Sequence, residues 1–322
     1  MEVTRQYKIA IVVVNYRTPE LVIDGLRSLC ADAEQGGIAV YVGDADSRDE
    51  SVERISQFIA EEGLDWAQCY DIGHNGGFAY GNNHILHTHV LSDPEVTHIY
   101  FLNPDAYVRA GAIAALVKGL DQYPNAGIVG SRLENPDGSL RSYGFRAPTP
   151  WREFFRGARL SLFDRYLPGT TIKIEALTRD QSVDWVTGAS FMIRREVLDR
   201  VGLMDDAFFL YFEETDLMTR ARKQGYDVWH ISESRVVHLA GQATGVRTAP
   251  DAPQVAELSP HWLRSRRRYL RKHHGLAGVI CGNAFFLLGD TIYRIHRRLR
   301  GLRVENPPHL WAAYMGFKSA SK

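Results

Sequence analysis

The sequence predicts an α/β protein built on a mainly parallel central sheet, and three observations predict it. Residues Ile9-Ala10-Ile11-Val12-Val13-Val14 form an unbroken apolar, largely β-branched run, the pattern of a strand covered on both faces. A second run, Ile38 to Val42, precedes a helical stretch from about Asp49 to Glu62 whose Val52, Ile55 and Ile59 recur at helical spacing. A third, His98 to Leu102, ends in Asn103-Pro104-Asp105 before an alanine-rich helix from about Gly111 to Tyr123. Repeated strand–helix units close as parallel strands.

Each further element follows from local signals. Thr18-Pro19-Glu20 supplies an N-cap and a first-turn proline behind the first strand. Ile128 to Gly130 reads as a short strand, whereas Leu133 to Gln181, rich in Arg, Pro and aromatics, has only weak periodicity. Order returns at Asp184 to Arg194, where Trp185, Val186, Phe191 and Ile193 flank Gly188-Ala189-Ser190, and a short helix follows from Arg195 to Val201. Phe208 to Phe212 leads into a helix from Glu213 to Gln224, closed by Gly225 as a C-cap. Asp227 to Ile231 and Arg235 to His238 read as edge strands.

At 322 residues and 45% hydrophobic, the chain can bury a sizeable core. Its net charge of zero argues against a nucleic-acid partner, but the charge is uneven: His261 to Arg303 holds eleven Arg or Lys against the single acid Asp290. Cys30, Cys69 and Cys281 form no CxxC pair, so neither a zinc knuckle nor a disulfide framework is suggested and a reducing cytoplasm fits. The N-terminal apolar run is too short for a signal peptide.

Five candidates for chemistry stand out. Asp105, at a strand end, could hold a divalent cation through its carboxylate, although Asn-Pro-Asp is also good turn chemistry. Glu213, Glu214 and Asp216 share one helical turn, where acids suit the macrodipole, yet Phe208, Phe209, Tyr211 and Phe212 would desolvate a carboxylate toward general-base duty. Asp44 could accept a hydrogen bond from a nucleobase or ribose, beside helix capping by Ser47 and Asp49. Asn75 to Asn83 is glycine-rich but lacks GxGxxG spacing and a Walker lysine. His238, after an apolar strand, reads alone as structural.

In this order the segments resemble the family 2 glycosyltransferases, within them the bacterial rhamnosyltransferase-like branch that builds lipid-linked cell-surface polysaccharides. The matching stretches are Val12 to Tyr16, Asp44 to Ser51, Asn75 to Asn83, Phe101 to Asp105, Gly188 to Arg195, Phe209 to Leu217 and Val237-His238, covering roughly residues 8 to 275. The resemblance implies a GT-A fold, Rossmann-like with a mixed, mainly parallel sheet flanked by helices, over residues 1 to 240. A nucleotide-binding part would reach about residue 130 and an acceptor-binding part would follow, with a basic helical extension over 241 to 322. It implies that the backbone near Val14, Asn15 and Tyr16 lines the nucleoside and Asp44 contacts the base, with Asn75, Gly77, Phe78, Asn82 and Asn103 in the nucleotide site. Asp105 and His238 would hold Mg²⁺ or Mn²⁺, and Glu214 would be the base, with Glu213 and Asp216 as alternatives. Trp185, Gly188 and Ala189 are acceptor candidates, and Arg267 and Lys272 would face a diphosphate. Two departures stand out: Asp44-Ala45-Asp46-Ser47 replaces the usual Asp-Asn-x-Ser, and the base is Glu rather than Asp.

The implied activity is inverting transfer of a hexosyl group, such as L-rhamnosyl from dTDP-rhamnose, to a glycan or polyprenyl-linked glycan. The competing reading is a sugar-nucleotide-binding subunit without catalysis. A nicotinamide oxidoreductase is disfavoured, because Asn15-Tyr16-Arg17-Thr18 stands where its glycines would be. Leu276 to Gly289 is fourteen residues, below the ~20 that span a bilayer. Ala284, Leu288, Ile292, Ile295 and Leu299 share a helical face near Arg294, Arg297, Arg298 and Arg300, which suits either an anionic membrane surface or a core helix. Lipid-linked acceptors in the resembling family favour the membrane, on the inner face of the plasma membrane.

Overall fold

In the computed structural model the first apolar run becomes strand β1 (Lys8–Asn15), buried almost throughout because parallel partners stand on both sides. These are β2 (Ile38–Asp44) and β4 (Val96–Leu102). The structure describes residues 8–141, 143–159, 166–167, 169–175, 177–239, 241, 259–304 and 310–315. Residues 242–258, which open the expected extension, lie outside them.

Among the described residues the main sheet has nine strands. A strand not expected from sequence, β3 (Ala67–Asp71), forms one edge, and the order runs β3-β2-β1-β4-β10-β6-β11-β5, with β9 (Gln181–Val183) paired to β11. Here β5 is Ala106–Val108, β6 is Ala126–Glu134, β10 is Ser190–Arg194 and β11 is Asp227–His238. Strands β1 to β4 pair in parallel, and β10 runs antiparallel between β4 and β6. The expected pair of edge strands is a single strand, β11, whose register shifts between Ile231 and Arg235. It is not an edge, since β6 pairs along one side while β5 and β9 take the other.

Helices α1 (Pro19–Ala33), α2 (Ser51–Glu61), α3 (Phe78–Ile85) and α4 (Ala112–Gln122) follow β1, β2, β3 and β5, and a single π turn, Leu86–Val90, prolongs α3. Strands β7 (Tyr143–Phe145) and β8 (Lys173–Glu175) pair as a ribbon, with α5 (Pro150–Ala158) between them in the chain. Helix α6 (Arg195–Val201) precedes α7 (Glu213–Lys223). Helix α7 ends as its glycine predicts: Gly225 N–H reaches Arg222 O at 3.0 Å and Tyr226 N–H reaches Ala221 O at 3.2 Å, a Schellman arrangement.

The chain forms two compact units, residues 1–144 with 175–247, and 145–174 with 248–322. The first contains the sheet. Its core gathers Ile11, Leu26, Leu29, Tyr100 and Leu116 around β1 and β4. The second contains α5, α8 (Pro260–Leu299) and α9 (Leu310–Met315). Helix α8 breaks at Gly275 (φ 70°, ψ −172°), so its second arm runs unbroken from Leu276. The helix exceeds the fourteen-residue apolar stretch read from sequence, and by length and composition alone it is apolar enough to cross a membrane.

Candidate functional site

The strands that run parallel end at one edge of the sheet, where α/β proteins place ligands. Asn15 closes β1 and Asp44 closes β2, and the two side chains clasp: Asn15 Nδ2 donates to Asp44 Oδ2 at 2.6 Å. Ser47 donates its backbone N–H to Asp44 Oδ1 (2.8 Å) and its hydroxyl to Oδ2 (2.7 Å). Asn15 Oδ1 accepts from the Thr18 amide and hydroxyl. Both residues are buried, and the three bonds leave Asp44 one acceptor position, on Oδ1. Most of the polar atoms of these two side chains thus shape two loops, and Asp44 Oδ1 keeps one acceptor position.

Those loops and the one before α7 carry backbone strain. Arg17, Asp46 and Arg48 have φ between 54° and 57°, and Tyr211 and Phe212 both stand at 70°. Each costs of order 1 kcal/mol, and such residues concentrate at ligand sites. Asp46, missed in the sequence except as a departure from a motif, accepts from Arg48 Nε and Nη2 at 3.0 and 2.9 Å. Its carboxyl is held below the usual range by Arg48, with His74 and Arg17 adding to the effect. Tyr16 is exposed, with the Arg17 guanidinium 5.1 Å from its ring centre.

The glycine-rich segment is fixed by its neighbours rather than by a phosphate-loop spacing. Gly77 has φ 91°, and a Cβ there would lie 2.0 Å from Phe209 O. Phe78 N–H donates to that carbonyl at 2.9 Å, so the segment is tied to the loop before α7. Gly81 lets α3 lie against β1, since a Cβ would meet Val14 Cγ1 at 2.8 Å. Asn75 Oδ1 caps Gly77 N–H, and the buried Asn82 donates to Phe78 O at 2.8 Å, a bond internal to the helix. Asn83 bonds Met204 and Asp206.

Asp105 and His238, 133 positions apart in the chain, meet. Strand β5 pairs with the end of β11, setting His238 opposite Ala106, and the Leu239 amide bonds Asp105 O at 3.0 Å. His238 Nε2 lies 3.2 Å from Asp105 Oδ1, with the Asn103 amide nitrogen 3.5 Å from the same ring nitrogen. Asp105 is buried and His238 half-buried. Arg141, which no sequence signal marked, reaches His238 O at 3.4 Å and brings a cation to the rim. Among the described residues no third His, Cys, Asp or Glu joins this pair.

Residues 188 and 189 link the pair to the acids of α7. The Asn103 amide donates to Ala189 O at 3.0 Å. Gly188 hydrogen-bonds Glu214 through its backbone, and its Cα hydrogens face Glu214 and Phe78, a Cβ there falling 3.7 to 3.8 Å from them. Trp185 is half-buried three positions before Gly188.

The three acids divide sharply. Burial pushes Glu214 up to about 7, although the residue keeps some exposure. Burial, then the charge of Glu214, pushes Glu213 well above the carboxylate range, and its Oε2 has no hydrogen-bond partner. Burial and mutual repulsion thus disfavour two negative charges on this adjacent pair. Asp216 is removed as a base candidate: it is fully buried and accepts from Arg220 Nε at 2.8 Å, while the same guanidinium ties down Val201, Gly202 and Leu203 carbonyls. Arg267 and Lys272 belong to the second unit, on the first arm of α8, where both are exposed.

Residues 6–253 match the family model described as "Glycosyltransferase like family 2". Among curated proteins, N-acetylglucosaminyl-diphospho-decaprenol L-rhamnosyltransferase of Mycobacterium tuberculosis is 28% identical over 209 residues, which are 61% of this chain. The match spans 65% of that relative's length. Among solved structures, GalNAc-T7 with UDP, GalNAc and Mn²⁺ aligns with a TM-score of 0.59 at 12% identity, covering 98% of this chain and 55% of that one. The mannosyltransferase PcManGT of Pyrobaculum calidifontis, in complex with GDP-Man and Mn²⁺, aligns at 0.57 and 17% identity, covering 97% and 80%. Both likenesses extend along nearly the whole chain and give the fold as GT-A.

Proposed function

The chain belongs to the family 2 glycosyltransferases, and from that premise we propose that it transfers a hexosyl group from a nucleotide-diphosphate sugar to an acceptor hydroxyl with inversion. The observation that carries this reading is the 3.2 Å approach of His238 Nε2 to Asp105 Oδ1 at the carboxyl edge of the sheet. A carboxylate and an imidazole aimed at one point suit a divalent cation, Mg²⁺ or Mn²⁺, that takes few protein ligands and completes its shell with phosphate oxygens and water. When bound, such an ion offsets the negative charge that develops on a departing nucleoside diphosphate.

The residues of the chain supply the rest. Tyr16 offers an exposed aromatic face for a base, and Asp46 with Arg48 offers a carboxylate and a cation beside it. Asn103 holds its amide beside His238, and Arg141 adds positive charge near the leaving group. Glu214 receives the proton of the attacking hydroxyl. A carboxylate poised at about 7 is half-ionised at neutral pH and is a stronger base than an ordinary glutamate. Burial and the Glu214 charge raise the Glu213 carboxyl, which disfavours a second negative charge beside the base. The attacking oxygen forms the new bond to the anomeric carbon as the bond to the diphosphate breaks, so one displacement inverts the centre.

The donor is proposed as a dTDP-linked L-rhamnose and the acceptor as a polyprenyl-linked glycan, on the likeness to the mycobacterial rhamnosyltransferase. Incubation with a panel of nucleotide-diphosphate sugars, an N-acetylglucosaminyl-diphospho-polyprenol and Mn²⁺ tests it. The expected result is acceptor-dependent release of nucleoside diphosphate and an inverted linkage by NMR. Binding of the donor with no transfer to any glycan acceptor would instead leave a sugar-nucleotide-binding subunit.

A further inference from the structure

The second unit buries charged groups beside an apolar core of Phe286, Leu310 and Tyr314. Its interior holds Glu153, Arg266 and Asp290, all nearly inaccessible. Arg266 Nε and Arg156 Nη2 donate to Glu153 Oε2 at 2.8 and 2.5 Å, and Arg266 Nη1 reaches Asn283 Oδ1 at 2.8 Å. Asp290 accepts from Arg294 and from the Trp311 indole, both at 2.6 Å. Helices α5 and α8 approach through glycines: a Cβ on Gly289 would lie 2.1 Å from Phe154 O, and one on Gly157 2.3 Å from Phe286 O.

The outer face of the second arm of α8 is apolar. Leu276, Ile280, Leu288, Ile295 and Leu299 are between 52% and 84% exposed. Their spacing of four, eight, seven and four places them on one stripe, with exposed Ala284 between. The arm is about 36 Å long at 1.5 Å per residue. Trp151, on α5, and Tyr166 are also exposed. Small residues between helices, polar groups turned inward and leucines turned outward are the arrangement a helix adopts against lipid. In water the same stripe would cost apolar hydration along its whole length.

Charge at the two ends fixes the orientation. Exposed Arg264, Arg268 and Arg271 precede the stripe, and exposed Arg298, Arg300 and Arg303 surround its end at Leu299. A spanning helix carries its basic residues mainly on one side of the membrane, whereas this stripe is basic at both ends. We propose that the outer face of α8 is a docking surface for an anionic phospholipid bilayer, with the helix lying in the plane of the headgroups and its leucine–isoleucine stripe in the acyl boundary. The surface belongs to the second unit alone and does not rest on the transfer chemistry, so the two can fail separately.

Flotation of the full-length chain with phosphatidylcholine vesicles, with and without phosphatidylglycerol, tests it. The chain is expected to float with the anionic vesicles and to release them as salt is raised. Ile280→Ser with Leu288→Ser, both at exposed positions, is expected to lower the partition coefficient at least about tenfold, since burial of each side chain is worth about that factor. Arg264→Gln, Arg271→Gln, Arg298→Gln and Arg300→Gln together should also lower it at least about tenfold, each charge near the surface contributing roughly fivefold. Unchanged circular-dichroism melting would exclude unfolding as the cause. The proposal is overturned if wild type stays unbound in both mixtures, or if the variants float like wild type. It is equally overturned if the chain self-associates through this face without binding vesicles, or if it resists alkaline carbonate as a spanning protein does.

Discussion

Replacing Glu214 by Gln removes the proton acceptor while keeping the shape of the side chain, and its consequences differ for rate and for stability. Burial raises Glu214 from 4.5 to about 7. That shift, at 1.36 kcal/mol per unit, corresponds to about 3 kcal/mol at most between its two ionisation states. The folded chain binds this proton more tightly than the unfolded chain does. Its contribution is therefore fully present below about 4.5 and is lost as pH rises toward and through about 7. Glu214→Gln has no proton to lose, so at pH 8 it should be more stable than wild type by up to about 3 kcal/mol, and at pH 4.5 nearly equal to it. Turnover should move the other way, falling about 10²- to 10⁴-fold as expected for loss of a general base. Wild-type kcat/KM should rise through about pH 7, a limb the variant should lack. Urea unfolding at the two pH values, with pH–rate profiles of both proteins, reads these outcomes. A stability difference that does not change with pH, or a variant that keeps the rising limb, would refute the role given to Glu214.

Other outcomes follow from the packing. Gly77→Ala puts a Cβ 2.0 Å from Phe209 O at φ 91°, so it should cost at least about 1 to 3 kcal/mol in urea unfolding and lower turnover by displacing the loop before α7. In the second unit, burial raises the Glu153 carboxyl, but Arg156 and Arg266 more than offset this and hold it below the usual range. Arg266→Ala should therefore cost about 3 to 5 kcal/mol in thermal or urea melts by stranding a buried charge, and the Glu153 contribution should be lost as pH falls below about 4. Arg220→Ala, which frees Asp216 and three carbonyls, should lower stability and turnover together, whereas a base at Asp216 would show a loss of turnover alone.

Much of the fold was legible because burial wrote it into residue type. The β-branched run at Ile9 to Val14 could only be a covered strand, and Gly225 marked the end of α7 to the residue. Strand β3 was not legible: Ala67–Asp71 is short, half polar and follows Trp66, so it shows neither alternation nor an apolar run. The two apparent edge strands hid one strand because Ser232, Glu233 and Ser234 interrupt it where the register shifts. The polarity of α8 was half legible, since its apolar face is visible in the spacing but its buried Arg266 and Asp290 read as surface charges.

Within the site, strand-end position marked Asp105 and helix-start position marked Glu214, but the pairing of Asp105 with His238 came only through a resemblance, because convergence over more than a hundred positions leaves no local signal. The clasp between Asn15 and Asp44 was not legible: their residue types suit ligand binding and a buried clasp equally, and only hydrogen-bond partners show the clasp. Arg141 was missed because it acquires meaning from a neighbour distant in the chain, His238.

The claim that Asp105 and His238 together hold a divalent cation is tested most directly by calorimetric titration of dTDP and UDP into the protein with Mn²⁺ and then with EDTA, for wild type and Asp105→Asn. One of the two nucleotides should bind wild type in Mn²⁺ at least about tenfold more tightly than in EDTA, and Asp105→Asn should abolish that difference. Equal affinity with and without the ion in wild type, or a variant that keeps the full metal effect, would contradict it.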